Sequence, residues 1–389
     1  MRILVISGFW PTRSNSISGI FVVQQVQAYK SLGCDVVVIA PQQLRGRRLQ
    51  RPYHQELDGI DIYSPAYLDV PQKVSGGRLA VSLNNRAYAR AVQRAIRRHM
   101  GAAAFSGIHL HDLRYASLGY PLWREVRSPR TLLTLHGVDP FIEARAERAW
   151  LKSMLDGLWA YVDDVVLVGR PLEQYADKLG VPAGKRTVIH NGSVMPAVWQ
   201  DTQRSLNEKR VLLSVSNLVP LKGIDLNLKA LGAIHRDSPD LDWEYRVIGD
   251  GPERSRLERE AAERGISARV SFIGRLDHED TLAAIAECDV FSLPSWGENF
   301  GIVYLEAMGR GRPVIGCRDW GAAEMVRDGV DGCLVTPKDV ESLRAAIESL
   351  LISPDKCREM GAAARAQAEK FTWAKNAQQH LNMFAAACS

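Results

Sequence analysis

The chain has 389 residues, 46% hydrophobic, 24% charged and 7% aromatic, with no low-complexity tract. Its length implies two domains with separate cores and excludes one small disulfide-stapled module, and its composition excludes a disordered or fibrous chain. The formal net charge of +5 hides an asymmetry, because residues 1–190 carry 25 Lys and Arg against 15 Asp and Glu while the remainder carries 24 against 29; the basic half is expected to face an anionic partner such as a membrane surface, a lipid diphosphate or a nucleic acid.

In chain order, Arg2–Ser7 and Asp35–Ala40 read as short β-branched strands flanking a loop and a helix from Gly19 to Leu32, the opening of a doubly wound sheet. Segment 77–100 predicts an amphipathic helix with Val81, Tyr88, Val92 and Ile96 on one face and Arg86, Arg90, Arg94, Arg97 and Arg98 largely on the other. Its bland reading is a solvated face; its functional reading is a patch on anionic lipid, enlarged by Arg45, Arg47, Arg48 and Arg51. Further strands are expected at 107–111, 131–136, 165–168 and 187–189, followed by a linker near 191–209. The alternation then restarts with strands at 211–217, 243–250, 270–274, 290–294, 313–317 and 332–336, and closes on three helical stretches. The expected fold is therefore α/β, two Rossmann-like doubly wound parallel-sheet domains facing a central cleft, with ligands at the carboxyl ends of the strands.

No apolar run reaches the roughly 18 residues a bilayer span needs, and MRILVIS is too short for a signal peptide, so a cytoplasmic protein is expected. The six cysteines (Cys34, Cys288, Cys317, Cys333, Cys357, Cys388) contain no C-x-x-C pair and suit reduced buried thiols rather than zinc ligands or a disulfide frame.

The most informative strand end is Glu298-Asn-Phe-Gly-Ile-Val-Tyr-Leu-Glu306. Backbone amides of Phe300, Gly301, Ile302 and Val303 would form an uncapped helix N-terminus suited to a phosphate or diphosphate. Glu298 precedes that helix and Glu306 lies two turns into it, where one carboxylate would accept from a sugar ring and the other from a ribose. His136 ends one strand and His111 another, while His109 lies inside its strand; a histidine satisfied by neighbouring backbone is the ordinary alternative. Gly19 opens the first helix, where a side chain would block approach of a diphosphate. Asp240-Leu-Asp242 is the lone D-x-D, but it precedes a strand and reads as a turn.

ENFGIVYLE followed by AMGRGRPVIG resembles the signature of retaining, nucleotide-sugar-dependent glycosyltransferases of the GT-B fold, glycosyltransferase family 4 (glycosyl transferases group 1). WPTRSNSISGIF, HLHDL, TLHGVD, VIHNGS, LLSVSNLVPLKGID, VIGDGPER and VSFIGRLDHED fall in that family's order, so the resemblance covers nearly the whole chain. It implies an N-terminal acceptor domain over 1–195, a nucleotide-sugar domain over 205–370, and a final helix in 371–389 packing back across the hinge. It also implies that Lys222 neutralises the donor diphosphate, Glu298 grips hydroxyls of the transferred sugar, Glu306 binds the ribose, and backbone at Arg275 and Leu276 lies near the base. The donor set is completed by Gly19, Asn217, Asn299, Phe300, Gly301, Ile302 and Val303, and His136 would contact the donor sugar near the reacting centre. Arg13, His111, Arg86, Arg90, Arg94 and Arg97 are the acceptor or membrane candidates.

The sequence departs from the family at Asn217, where many relatives carry Arg; Asn donates a hydrogen bond but brings no charge. The resemblance implies transfer of a hexose-type group to an acceptor hydroxyl with retained configuration, by a same-face mechanism, with no cofactor and no metal. Lys222 and backbone amides would stabilise the departing nucleoside diphosphate. The implied partners are a nucleotide sugar, a glycan or lipid-linked glycan acceptor of bacterial polysaccharide or cell-envelope synthesis, and an anionic membrane surface, with no nucleic acid; the implied location is peripheral, on the cytoplasmic face of the inner membrane. Competing readings are a sugar-nucleotide epimerase, a pyridoxal-phosphate glycan phosphorylase, a nicotinamide oxidoreductase drawing on Gly249-Asp-Gly251-Pro-Glu-Arg254, and a basic membrane- or nucleic-acid-binding module.

Overall fold

The computed structural model describes residues 1–12, 18–44, 52–68, 78–100, 105–111, 113, 116, 128, 130–196 and 209–386. Arg13, Arg45, Arg47, Arg48, Arg51 and most of the expected linker lie outside the described residues. The chain divides into two compact units, Met1–His190 with Trp373–Ser389, and Asn191–Thr372.

In the first unit, in chain order, the elements are β1 (Arg2–Ile6), α1 (Ile20–Ser31), β2 (Asp35–Ile39), β3 (Gln42–Gln43), β4 (His54–Leu57), β5 (Ile60–Tyr63), β6 (Ala66–Tyr67), α2 (Arg78–His99), β7 (Gly107–Leu110), β8 (Thr131–Leu135), α3 (Pro140–Glu143), α4 (Ala149–Tyr161), β9 (Asp164–Leu167), α5 (Glu173–Lys178) and β10 (Arg186–Val188). The main sheet runs β10-β9-β8-β7-β1-β2-β5-β4. It is parallel except for the β4–β5 pair. Ile3, Leu4, Val5, Leu132, Leu133, Val165 and Val166 are fully buried, as expected of parallel strands covered on both faces. The β4–β5 hairpin is absent from the sequence-based expectation; it turns on Asp58 and Gly59, both at positive φ (53° and 73°), the conformation that Asp-Gly supplies to a two-residue hairpin loop. On α2, Tyr88, Val92 and Ile96 are buried and Arg86, Arg90, Arg94, Arg97 and Arg98 are exposed.

The second unit contains β11 (Arg210–Val215), α6 (Ile224–Asp237), β12 (Trp243–Ile248), α7 (Arg254–Glu263), β13 (Val270–Gly274), α8 (His278–Glu287), β14 (Val290–Ser292), α9 (Ile302–Gly309), β15 (Val314–Cys317), β16 (Gly332–Val335), α10 (Val340–Leu351) and α11 (Pro354–Ala368). Its parallel sheet runs β13-β12-β11-β14-β15-β16, so the order in which successive strands are added reverses between β11 and β14. In an open α/β sheet, the carboxyl end at such a switch point is where ligands bind.

The chain then returns to the first unit as α12 (Trp373–Ala385), packed on α1. Trp373 Nε1 donates to Gln24 Oε1 at 2.8 Å, Gln25 Nε2 to Asn376 Oδ1 at 2.6 Å, and Asn376 Nδ2 to the carbonyl of His190 at 2.8 Å. Ser193 N donates to the carbonyl of Phe371 at 3.0 Å, which places the residues just after His190 with the second unit. Cys34, Cys288, Cys317 and Cys357 are buried free thiols and Cys333 is half-buried.

Candidate active site

At the switch point of the second unit, the loop after β11 carries Asn217, which is exposed, and a single 3-10 turn, Pro220–Lys222. Gly223 follows at φ 70° and starts α6; a Cβ there would lie 2.5 Å from the carbonyl oxygen of Pro294, so only glycine lets this loop approach the loop after β14. Trp296 N donates to the carbonyl of Leu221 at 3.0 Å and joins the same two loops. As a result Lys222 Nζ donates to Glu298 Oε2 at 2.5 Å, with the two side chains only 18% and 19% exposed.

Beneath the loops lies a buried polar network that sequence reasoning missed. Asn227 Nδ2 donates to Tyr245 OH at 3.0 Å, Ser292 Oγ donates to Asn227 Oδ1 at 2.8 Å, and Ser214 Oγ and Tyr245 OH share a 2.7 Å hydrogen bond. It ties α6 to β11, β12 and β14, and satisfied buried networks of this kind rigidify what they support.

Helix α9 begins at Gly301, at φ 83° and with no side-chain cap. A Cβ on Gly301 would fall 2.6 Å from the Tyr304 ring and 2.9 Å from Cγ of Glu298. Tyr304 OH donates to the carbonyl of Leu293 at 2.5 Å, anchoring the helix to the end of β14. Gly301, Ile302 and Val303 are half-buried, as are Glu298 and Asn299, whereas Phe300 is buried. Glu306 Oε1 meets Nε2 of His278 at 2.8 Å, and this hydrogen bond raises the His278 pKa above its ordinary value. Arg275 is exposed and Leu276 half-buried in the turn that leads to His278.

The glycines of the dinucleotide-like segment have a packing explanation. A side chain on Gly249 would collide with the carbonyl of Ser216, and one on Gly251 with that of Leu218, so both let the loop after β12 lie against the loop after β11. Asp242 stands at the start of β12, paired with Arg269 at 2.9 Å. Among the described residues no group of three or more His, Cys, Asp or Glu could hold a metal ion.

In the first unit, the order in which strands are added reverses between β1 and β7, which are parallel. Gly19 caps α1 at φ 71°, and a Cβ there would meet the Phe9 carbonyl carbon at 2.5 Å, so its lack of a side chain is already required by the loop after β1. His111 follows β7 and His136 follows β8; His111 Nδ1 and His136 Nε2 are 2.9 Å apart, with the rings stacked at 14°. His136 also packs against Phe21 at 4.4 Å and Phe9 at 6.2 Å between ring centroids. His109 shares hydrogen bonds with Tyr29 OH at 3.0 Å and Thr134 Oγ1 at 2.7 Å, and its ring lies 4.9 Å from that of His380 on α12. Burial lowers all four histidine pKa values, to about 3 for His136 and about 4 for His380, and well below the ordinary value for His109 and His111. With both rings neutral, a single proton lies between His111 and His136. Sequence reasoning missed His380 because its partners lie far away along the chain.

Two family models match the chain, "Glycosyltransferase Family 4" over residues 18–193 and "Glycosyl transferases group 1" over residues 198–367. A GDP-mannose-dependent alpha-(1-6)-phosphatidylinositol monomannoside mannosyltransferase from Mycolicibacterium smegmatis is 36% identical over 167 residues, covering 41% of this chain and 43% of that protein. The alignments to this relative and to a D-inositol 3-phosphate glycosyltransferase from Nocardia farcinica span about two fifths of each relative's length. Among solved structures, sucrose-phosphate synthase from Thermosynechococcus elongatus superposes with a TM-score of 0.79 at 22% identity over 100% of both chains. Anabaena HepE in complex with UDP and glucose gives 0.71 at 20% identity over 99% of this chain and 100% of that one. The doubly wound sheets and the end-to-end structural match show the GT-B fold, and the family models over both halves show that the chain belongs to the glycosyltransferases, with a Glycosyltransferase Family 4 domain followed by a glycosyl transferases group 1 domain.

Proposed function

We propose that the protein is a retaining glycosyltransferase that moves a hexose from a nucleoside-diphosphate sugar to an acceptor hydroxyl without a metal ion or other cofactor. The observation that carries this reading is the Lys222–Glu298 pair beside the open N-terminus of α9, at the carboxyl end of β11 and β14. An ammonium has three N–H donors; one engages Glu298 and the others are available to the diphosphate, so the pair need not break when donor binds. The amides at the start of α9 add partial positive charge on the same group. In this reading charge builds on the leaving diphosphate beside a cation and helix amides, and preorganised donors of this kind lower the barrier most.

In this reading the bond from the anomeric carbon to the phosphate oxygen breaks, the acceptor oxygen bonds to that carbon from the same face, and the acceptor proton passes to a departing phosphate oxygen. Glu298 holds hydroxyls of the transferred sugar, Glu306 the ribose, and the backbone at Arg275 and Leu276 the base. Asn217 contributes a hydrogen bond without a charge, and Lys222 supplies a cation to the diphosphate. His136 serves the donor sugar as a neutral ring.

The acceptor is proposed to be a lipid-linked glycan met at the cytoplasmic face of a membrane. The exposed arginines of α2 support this, since a row of basic side chains above a buried apolar stripe attracts anionic lipid. The named activity of the mycobacterial relative, on a phosphatidylinositol mannoside, is consistent with such an acceptor. Among the described residues no helix is long and apolar enough to cross a membrane.

The test is a thermal-shift screen with UDP-, GDP-, ADP- and dTDP-sugars, with and without magnesium, followed by acceptor-dependent release of the nucleoside diphosphate. Stabilisation by one nucleotide class, independent of magnesium and lost in Lys222→Ala and Glu298→Ala, is expected. Nicotinamide or nucleic-acid binding in place of nucleotide-sugar binding would reject the reading. Sedimentation with phosphatidylglycerol vesicles, weakened by replacing Arg86, Arg90, Arg94 and Arg97 with Gln, tests the membrane assignment separately.

A further inference from the structure

Glu306 is held from outside its own helix. His278 is the first residue of α8, and its Nε2 lies 2.8 Å from Oε1 of Glu306, with the side chains 26% and 13% exposed. The helix start that carries His278 is fixed: Asp277 caps α8 by accepting from Asp280 N at 2.9 Å, and Thr281 Oγ1 donates to the Asp277 carbonyl at 2.6 Å. The same short turn carries Arg275 and Leu276, the backbone assigned to the base. Two segments with different assigned duties, one at the base and one at the ribose, are thus joined by a side-chain hydrogen bond.

We propose that His278 is a positioning residue for the nucleotide ribose: its Nε2–H engages Oε1 of Glu306 and so presents Oε2 as the acceptor for a ribose hydroxyl. This rests on the assignment of Glu306 to the ribose. A neutral imidazole protonated at Nε2 and an imidazolium both donate from that atom, so the contact persists through titration. The other charged groups near the pair are Asp277 and Arg310, whose Nη1 donates to the backbone carbonyl of Glu306 at 3.0 Å. Without His278, the carboxylate would keep the Arg310 cation just past the end of its own helix but lose the donor that sets its rotamer.

The test is calorimetric titration with UDP, GDP and ADP, then with the 2′,3′-dideoxy form of whichever binds most tightly, on wild type, Glu306→Ala, His278→Ala and His278→Gln. Wild type is expected to prefer the ribonucleotide by roughly tenfold or more, the size of a hydrogen bond to a charged group. Glu306→Ala should abolish the preference and His278→Ala should cut it at least about threefold. His278→Gln should restore most of it, because the amide Nε2–H can reach the same oxygen. Loss of preference in Glu306→Ala but not in His278→Ala overturns the positioning role and leaves the ribose assignment standing. Equal loss in both His278 variants also overturns it, by showing that the ring only packs. Retained preference in Glu306→Ala, or no binding of any of the three nucleotides, overturns the ribose assignment itself.

Discussion

Lys222 and Glu298 are 76 positions apart in the chain and 2.5 Å apart in space, one on the loop after β11 and the other on the loop after β14. Two oppositely charged groups held in contact across two loops orient each other before any ligand arrives.

Lys222→Ala is expected to lower transfer by about a hundred- to a thousandfold, the usual cost of removing a preorganised donor to a developing charge. The pair is partly screened by solvent, so its loss should cost less stability than the roughly 3–5 kcal/mol of a fully buried pair. Initial rates and thermal midpoints measured together check both expectations; full activity in a folded Lys222→Ala enzyme would remove Lys222 from the diphosphate site.

At Gly301, positive φ and crowding act together, whereas at Gly265, with φ 71°, a Cβ would meet nothing within 4 Å. Gly265→Ala should therefore cost about 1 kcal/mol for backbone conformation alone. Gly301→Ala should cost at least about 2 kcal/mol more, through displacement of the Tyr304 ring and Glu298, and should impair transfer. Urea unfolding of both variants decides the matter, and equal costs would contradict the crowding argument.

The neutral histidines predict acid sensitivity in the first unit. Their folded pKa values lie below the unfolded value near 6.5, so the unfolded chain takes up protons first as pH falls. Their stabilising effect is complete above about pH 6.5 and declines toward pH 4, by up to about 1.4 kcal/mol per pH unit for each such group. His278 has the opposite sign: its raised pKa contributes stability below about 6.5 that is lost as pH rises through its folded value. Thermal midpoints between pH 7 and pH 4 should fall more gently in His380→Phe than in wild type; parallel slopes would refute the assignment.

Gly107 opens β7 directly beneath α12, where a Cβ would collide with the ring of Phe384. Gly107→Ala is expected to destabilise the first unit by about 1–3 kcal/mol through overpacking. Adding Phe384→Leu should recover part of that loss. A double variant no more stable than Gly107→Ala would place the strain elsewhere.

Much of this is legible from the chain because it is local. Strands such as Arg2–Ile6 and Val314–Cys317 are continuous apolar runs between helical stretches, and the arginine spacing on α2 is visible without any partner. The β4–β5 hairpin escapes a sequence reading although Asp58-Gly59 announces it, because the flanking residues His54–Leu57 are largely polar and do not alternate as a strand should. Gly19 stands out in the sequence at the head of the first helix, but the close contact it permits within the structure is with the Phe9–Trp10 backbone.

By itself the sequence determined the two α/β units, the strand ends on which chemistry-bearing residues stand, and the family whose motifs occur in order, since hydrophobic periodicity and short motifs depend only on neighbours along the chain. Which of those residues meet was decided by tertiary structure. Lys222 finds Glu298 because strand order puts β14 beside β11, Glu306 finds His278 because α9 and α8 pack side by side, and His380 reaches His109 because the last helix returns to the first unit. A pairing across dozens or hundreds of residues leaves no periodic trace in a single sequence; sheet order and helix packing create it.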